Sequence, residues 1–457
     1  MKEFSSPNQA FLRFVESNPE CLDRSSFQPL DEPNKYVRYP LNSWPTFISA
    51  AEASEIERIG VGFSRLIKSI PLRFFGGDPA RLQEFYGLPP AHISMIARLL
   101  KRPGCLEVAI GRGDFIETAR GLQFLELNFG SNIGGWKNEI YADLYRRVPV
   151  LQRFFTGSGF DFESVKTVQR MFTHVLMSWT KYRGPIQDEL NTMFLSQRLQ
   201  ESQPGAPAEP AEQRIYRETL AKLGVKGTLI TALPSDLQVR GTRLYVGDLR
   251  IHVAIENFEH RPSPALIPHL LNGDSIILNG PVAPVLSDKK NLALLSERAD
   301  SPSLDANERE LVRNHLPWTR AVTPSYTTFE GRRAYLPDLL VAERERMVLK
   351  TRFGARGEGV LIGRCTEPEP WEEAVRDALQ NGRRIAQEFV QASPRLHQVG
   401  ASGVALCDVV WGLFVFGETF GGSFLRVASS GNQGVINSDQ GAQESAVFVA
   451  KAPEPAL

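Results

Sequence analysis

A lysine that ends a short apolar run, followed by a glycine-rich segment and a second apolar run, most restricts how this 457-residue chain can fold. The run is Met347-Val-Leu-Lys350, and Arg352-Phe-Gly-Ala-Arg-Gly-Glu-Gly-Val-Leu-Ile-Gly363 follows it. The pattern predicts a β-hairpin whose loop holds Gly354, Gly357 and Gly359. Backbone N–H groups in such a loop can approach phosphates, and Lys350 supplies a point charge for an α- or β-phosphate. The segment is not a Walker A loop, because no GK[ST] closes it and no helix follows directly. It is not the GxGxxG turn of a βαβ unit either. Taken alone, a glycine-rich hairpin also fits a plain turn.

The flanking sequence adds to it. Trp371–Leu379 has helical spacing and is closed by Asn381-Gly382. Arg384-Ile-Ala-Gln-Glu-Phe-Val390 then reads as a strand carrying Gln387 and Glu388. A strand ending this way can read an adenine edge through its backbone and hold a ribose with its carboxylate. Upstream, Ser287-Asp-Lys-Lys-Asn291 puts Lys289 and Lys290 at the start of a helix over 292–295. A solvated helix end is the plain alternative for that pair.

A second constellation lies more than two hundred residues earlier. Leu106–Ile110 reads as a strand, with Arg112 and Asp114 just beyond it. Phe124-Leu-Glu-Leu-Asn-Phe129 reads as another, with Gly121 in the turn between them. Alternation puts Glu126 and Asn128 on one face, and the paired strand can bring Asp114 beside them. Three hard oxygen donors suit Mg²⁺, particularly Mg²⁺ that also binds phosphates. A hairpin with a polar outer face is the alternative. The loop Gly130–Trp136 that follows is rich enough in glycine for close backbone approach, or is a plain turn.

Composition bounds the rest. The length implies two or three subdomains. Residues 1–104 read as a mainly helical cap, with a helix starting at an N-cap Ser54 and another over 92–101. Nothing in that segment looks catalytic. Residues 105–226 combine the hairpin with a helical insertion, clearest at 162–176, and a proline-rich loop at 203–212. Residues 227–286 read as a small α/β layer, and 287–457 as the region of the lysines and the glycine-rich lid. Lys+Arg and Asp+Glu are both 52, which argues against general attraction to nucleic acid or anionic membrane. Cys21, Cys105, Cys365 and Cys407 form no CxxC pair, and the N-terminus lacks an apolar signal core. Free thiols in a cytoplasmic protein are expected. Cys365 and Cys407 read as structural thiols. No apolar run spans a bilayer. His252, on an apolar strand, reads as a satisfied side chain rather than a ligand.

Together these pieces resemble the ATP-grasp ligases, and their order resembles the circularly permuted branch that contains glutathionylspermidine synthase. The resemblance covers roughly 105–136 and 285–450. It implies an α+β fold in which two subdomains sandwich ATP. It implies Asp114, Glu126 and Asn128 as Mg²⁺ ligands and Arg112 at the transferred phosphate. Lys350 and Lys289, with Lys290 as the close alternative, correspond to the two nucleotide lysines. Gln387, Glu388 and Val390 correspond to the hinge, and Arg426 to an arginine near an acyl-phosphate. The implied activity joins a small carboxylate to an amine, amino acid- or peptide-like, with release of ADP and phosphate. Thr351 departs from the proline frequent after the lid lysine. A small-molecule kinase and a non-catalytic nucleotide-binding module are the alternatives. Substrate identity and oligomeric state stay open.

Overall fold

A computed structural model describes residues 6–31, 37–130, 133–196, 210–256, 266–354, 357–429 and 435–451. Most of the expected 203–212 loop lies outside these residues, as do Ser131, Asn132, Ala355 and Arg356 of the two glycine-rich loops.

β1 (Thr46–Ser49) runs straight into the helix Ala50–Arg73. This helix starts before Ser54, because Ser49 and Glu52 form a reciprocal capping box that satisfies two backbone donors. Ser54 lies inside the first turns, its hydroxyl donating to the Ala50 carbonyl. Ile56, Ile59, Phe63, Leu66, Ile67 and Ile70 recur at helical spacing and are buried. Residues 106–108 are turn, so the expected strand at 106–110 begins only where it was expected to end: β2 is Ile110–Thr118. Leu106 and Val108 are buried without being extended, which is why the run imitates a strand. β3 is Gly121–Phe129, entered through Gly121 at a φ of 98°. The helix expected at 162–176 starts at Thr167, because Phe162–Glu163 instead pairs with a strand near the C-terminus.

β4 (Thr192–Leu195), β5 (Leu229–Ala232), β6 (Val253–Glu256) and β7 (Ile276–Leu278) come next. They form a parallel sheet ordered β7-β6-β4-β5. The sheet takes three strands from 227–286 and β4 from a stretch expected to be helical. Its strands are almost wholly apolar, as a sheet covered on both faces requires. β8 (Thr319–Ala321), β9 (Met347–Thr351), β10 (Leu361–Ile362) and β11 (Arg384–Glu388) form a second, antiparallel sheet ordered β8-β11-β9-β10. The helix Pro368–Asn381 separates β10 from β11 and ends at Gly382 in the left-handed region.

β12 (Arg395–Val399), β13 (Gly403–Phe416), β14 (Thr419–Ser429) and β15 (Gln443–Ala450) complete the largest sheet. Its order is β1-β15-β14-β13-β2-β3, with β12 on the edge of β13. Strands from both ends of the chain thus lie side by side. One face packs on the helix Ala50–Arg73, with the Phe63 ring 4.2 Å from that of Phe124 and 6.1 Å from that of Phe115. The helix Ala50–Arg73 of the N-terminal segment thus lies against the main sheet. His252 is buried, and its Nδ1 accepts from the Asn191 amide, as a satisfied core histidine does. Cys407 is buried, but Cys365 is exposed and packs no core. Among the described residues no helix is long and apolar enough to cross a membrane.

Candidate functional site

The face of the large sheet turned away from that helix carries the polar residues. Arg112, Asp114 and Ile116 alternate onto it from β2, and Phe424 and Arg426 from β14. In the β2–β3 register Asp114 stands opposite Glu126 and Arg112 opposite Asn128. Between Asp114 and Phe115 the register slips, because β3 carries one extra residue, Leu125. That bulge turns the Leu125 carbonyl to the Lys350 ammonium, 3.2 Å away. Gly412 of β13 lies between Asp114 and Phe424. A Cβ there would come within 2.2 Å of the Phe424 ring and 3.0 Å of Arg112 Cδ, so glycine is what lets Arg112 cross the strand.

Asp114 is buried and held twice. Arg112 donates from Nε to Oδ1 at 2.7 Å and from Nη2 to Oδ2 at 2.9 Å. Arg426 Nη2 stands 2.9 Å from Oδ2 on the other side. That contact is an ion pair off the line of a hydrogen bond. Neither Nε nor Nη2 of Arg426 has a hydrogen-bond acceptor among the described residues, although the side chain is buried. Glu126 is bound at both oxygens, by Asn128 Nδ2 at 3.1 Å and by Lys289 Nζ at 3.1 Å. Burial pushes the Glu126 carboxyl up, but Lys289 and Lys350 outweigh it and hold the group down at about 2.

The second sheet faces this one. Lys350, 8% exposed, donates to Gln387 Oε1 at 2.6 Å as well as to Leu125. Burial pulls its ammonium down to about 8, against the attraction of Glu126. Lys289 also donates to the Gly354 carbonyl at 3.0 Å, at the base of the glycine-rich loop. Its turn is fixed by Asp288, whose buried carboxylate pairs with Arg352. The turn is also fixed by Ser287, whose hydroxyl meets both the Phe129 amide and the Phe129 carbonyl at 3.0 Å.

A cavity of about 860 Å³ lies between the sheets, within the range of small-molecule sites. Arg112, Asp114, Glu126, Asn128, Lys289, Lys350, Gly354, Gly357, Gln387, Glu388, Val390 and Arg426 all line it. Lys290 does not: its ammonium bonds the Phe85 carbonyl and lies over the Phe85 ring. Gly359 is also outside the lining, its carbonyl accepting from Arg384. Sequence reasoning missed several lining residues. Arg38 and Tyr39 come from the segment expected to be inert, Tyr39 donating to Asp439 at 2.5 Å. Tyr141 and Ser438 donate to the two oxygens of the buried Glu444, at 2.7 and 3.0 Å. Glu444 is the cross-strand partner of Arg426. A carboxylate in the otherwise apolar alternation of β15 was the signal available, the same one that marks Glu126.

Among the described residues, no three His, Cys, Asp or Glu side chains cluster as a metal site. The donor set near Asp114 is two carboxylates and one amide. Such oxygen-only sets fit Mg²⁺ that takes its remaining ligands from water and phosphate. Four cations, among them Arg426 with two nitrogens that lack a hydrogen-bond acceptor among the described residues, fit a polyanion beside it. The apolar slot of Ile116, Leu125, Val348, Ile362 and Val390 fits a planar base.

The two facing sheets and their shared cavity define an α+β fold of the glutathione synthetase-like kind, and the likeness to solved structures bears on the fold alone. The structure of a glutathione synthetase-like effector from Globodera pallida, in apo form, matches 97% of this chain and 98% of its own, at 13% identity and a TM-score of 0.52. A putative gamma-glutamylcysteine synthetase from Methylobacillus flagellatus KT matches 88% of this chain and 89% of its own, at 10% identity and a TM-score of 0.43. No protein-family model and no curated protein matches the sequence.

Proposed function

We propose that this protein is an ATP-dependent carboxylate–amine ligase built on a circularly permuted ATP-grasp arrangement. The observation that carries the reading is convergence. Arg112, Asp114, Glu126, Asn128, Lys289, Lys350, Arg426 and residues 387–390 meet in one cavity, with two carboxylates set among four cations. Bound ATP with Mg²⁺ would supply a phosphoryl group that activates a substrate carboxylate as an acyl-phosphate.

Each side chain has a part in that chemistry. Asp114, Glu126 and Asn128 hold the metal. Lys289 and Lys350 take the α- and β-phosphates. Arg112 and Arg426 neutralise charge that builds on the transferred group, in a site too buried for water to do so. The slot and the 387–390 segment take the base. The glycine-rich loop keeps water from the activated acid. Positioning and charge are sufficient, since this chemistry needs no covalent participation by the protein. Beyond Arg426 the wall changes to Trp136, Lys137, Tyr141 and Glu444. This mixed-charge end suits an amino acid-like or peptide-like acid and amine.

The test is ATP-dependent phosphate release over a panel of acids and amines, with product mass. Lys350→Ala and Glu126→Ala are each expected to lower the rate at least ~100-fold while circular dichroism stays native. Unchanged release from both variants would sink the reading. Phosphorylated acid with no amide, whatever amine is added, would mark a kinase instead.

A further inference from the structure

Every carboxylate oxygen near the proposed metal position is already taken by the chain itself. Asn128 and Lys289 hold Glu126, and Arg112 and Arg426 hold Asp114. Lys289 joins this cluster to the glycine-rich loop. It is 6% exposed, and its ammonium reaches Glu126 Oε2 and the Gly354 carbonyl at once. A metal cation at Glu126 Oε2 and the Lys289 ammonium 3.1 Å from that oxygen repel each other, so the two compete for it.

The charges decide what can enter. Two carboxylates against four cations leave an excess of positive charge, which the buried Glu444 beside Arg426 reduces but does not cancel. A divalent cation arriving alone adds to that excess in a buried place and strands Lys289. A triphosphate arriving alone brings oxygens against two carboxylates that hold the nearest cations. A triphosphate carrying one divalent cation has about two negative charges and offsets that excess. It supplies a metal for Glu126 and phosphate oxygens for the displaced lysine in one step.

Building on the nucleotide-site reading above, we propose that Lys289 occupies the divalent-cation position in the ligand-free protein and passes to the phosphates as the metal enters. The lysine thereby makes the site accept metal and nucleotide only together.

The test measures binding, with Mn²⁺ as the paramagnetic probe and the non-hydrolysable analogue AMP-PNP as nucleotide. In the wild type, Mn²⁺ affinity should rise at least tenfold with AMP-PNP present, and AMP-PNP affinity by the same factor with Mn²⁺ present. Lys289→Met should move the two affinities in opposite directions: Mn²⁺ alone binds at least tenfold tighter, and AMP-PNP at least tenfold weaker. A merely structural lysine would weaken both. If the wild type binds AMP-PNP equally with and without Mn²⁺, the exchange is overturned and the nucleotide site stands. If Lys289→Met leaves Mn²⁺ affinity unchanged or lower, the role of the lysine is overturned. If the wild type binds no AMP-PNP in either condition, the nucleotide reading fails and the exchange with it. If Lys289→Met does not fold, Lys289→Gln takes its place with the same expected outcomes.

Discussion

Asp114→Asn separates a carboxylate that holds the site together from one that merely waits for a metal. Asp114 is 4% exposed and pairs with Arg112 through two bonds and with Arg426 through a third contact. The amide keeps one acceptor but loses the charge, and its NH₂ is turned toward a guanidinium. Two buried guanidinium groups are then left without their anion. Breaking a buried ion pair from one side costs about 3–5 kcal/mol, and the retained acceptor puts the expectation near the lower end, about 3 kcal/mol. Urea denaturation in the presence of a chelator reads this as a lowered midpoint at unchanged slope. Pyrophosphate should restore stability to the variant, because an anion that binds only the folded state contributes about 2.7 kcal/mol at a hundred times its Kd. A carboxylate held apart from the arginines would behave oppositely: neutralising it would leave the metal-free protein unchanged or slightly more stable. A variant within about 0.5 kcal/mol of wild type without metal would therefore refute the ion-pair account.

Other outcomes follow from groups farther out. Burial, with Arg395 nearby, holds the His397 ring down at about 3, and burial holds His174 at about 4. In the unfolded chain both titrate near 6.5, so below that pH the unfolded state binds more protons and stability falls as pH falls. The contribution is complete above about 6.5; at pH 5 each histidine should have cost about 2 kcal/mol. A urea midpoint that does not move between pH 7 and pH 5 would contradict this. Gly412→Ala puts a methyl group 2.2 Å from the Phe424 ring, and overpacking of this kind costs about 1–3 kcal/mol. It should also shift Arg112 off Asp114 and weaken AMP-PNP binding, measured by calorimetry; native affinity and stability together would show that the strand yields freely.

Strands 121–129, 347–351 and 384–388 and the helix 368–381 were legible because local signals agreed: alternation, a terminal lysine, a glycine closing the helix. Alternation made Glu126 and Asn128 legible as neighbours on one face, but a regular ladder from the two-residue turn would set Asp114 opposite Leu125; the bulge that brings it opposite Glu126 leaves no mark in the sequence. The start of β2 was not, since Leu106 and Val108 are buried in turns and burial alone looks the same in sequence. The cap at Ser49 competed with an equally plausible Ser54, and only the Glu52 side chain decides between them. Arg38, Tyr39 and Glu444 reach the cavity through contacts across most of the chain; Tyr39 and Asp439 are 400 residues apart. No window along the sequence carries such a pairing. The direction of Lys290 was equally invisible, being set by Phe85 of a distant helix.

The extra residue in β3 deserves a last consequence. A strand with one residue removed at Leu125 would pair with β2 as a regular ladder and would still bury Phe124 and Leu127 against Phe115 by a small slide. It would keep Glu126 and Asn128, but lose the outward carbonyl to which Lys350 is tied. The deletion would thus leave a sound hairpin with the lysine untethered from it. In this chain the length of that one strand, counted against its partner, ties the two sheets into one site.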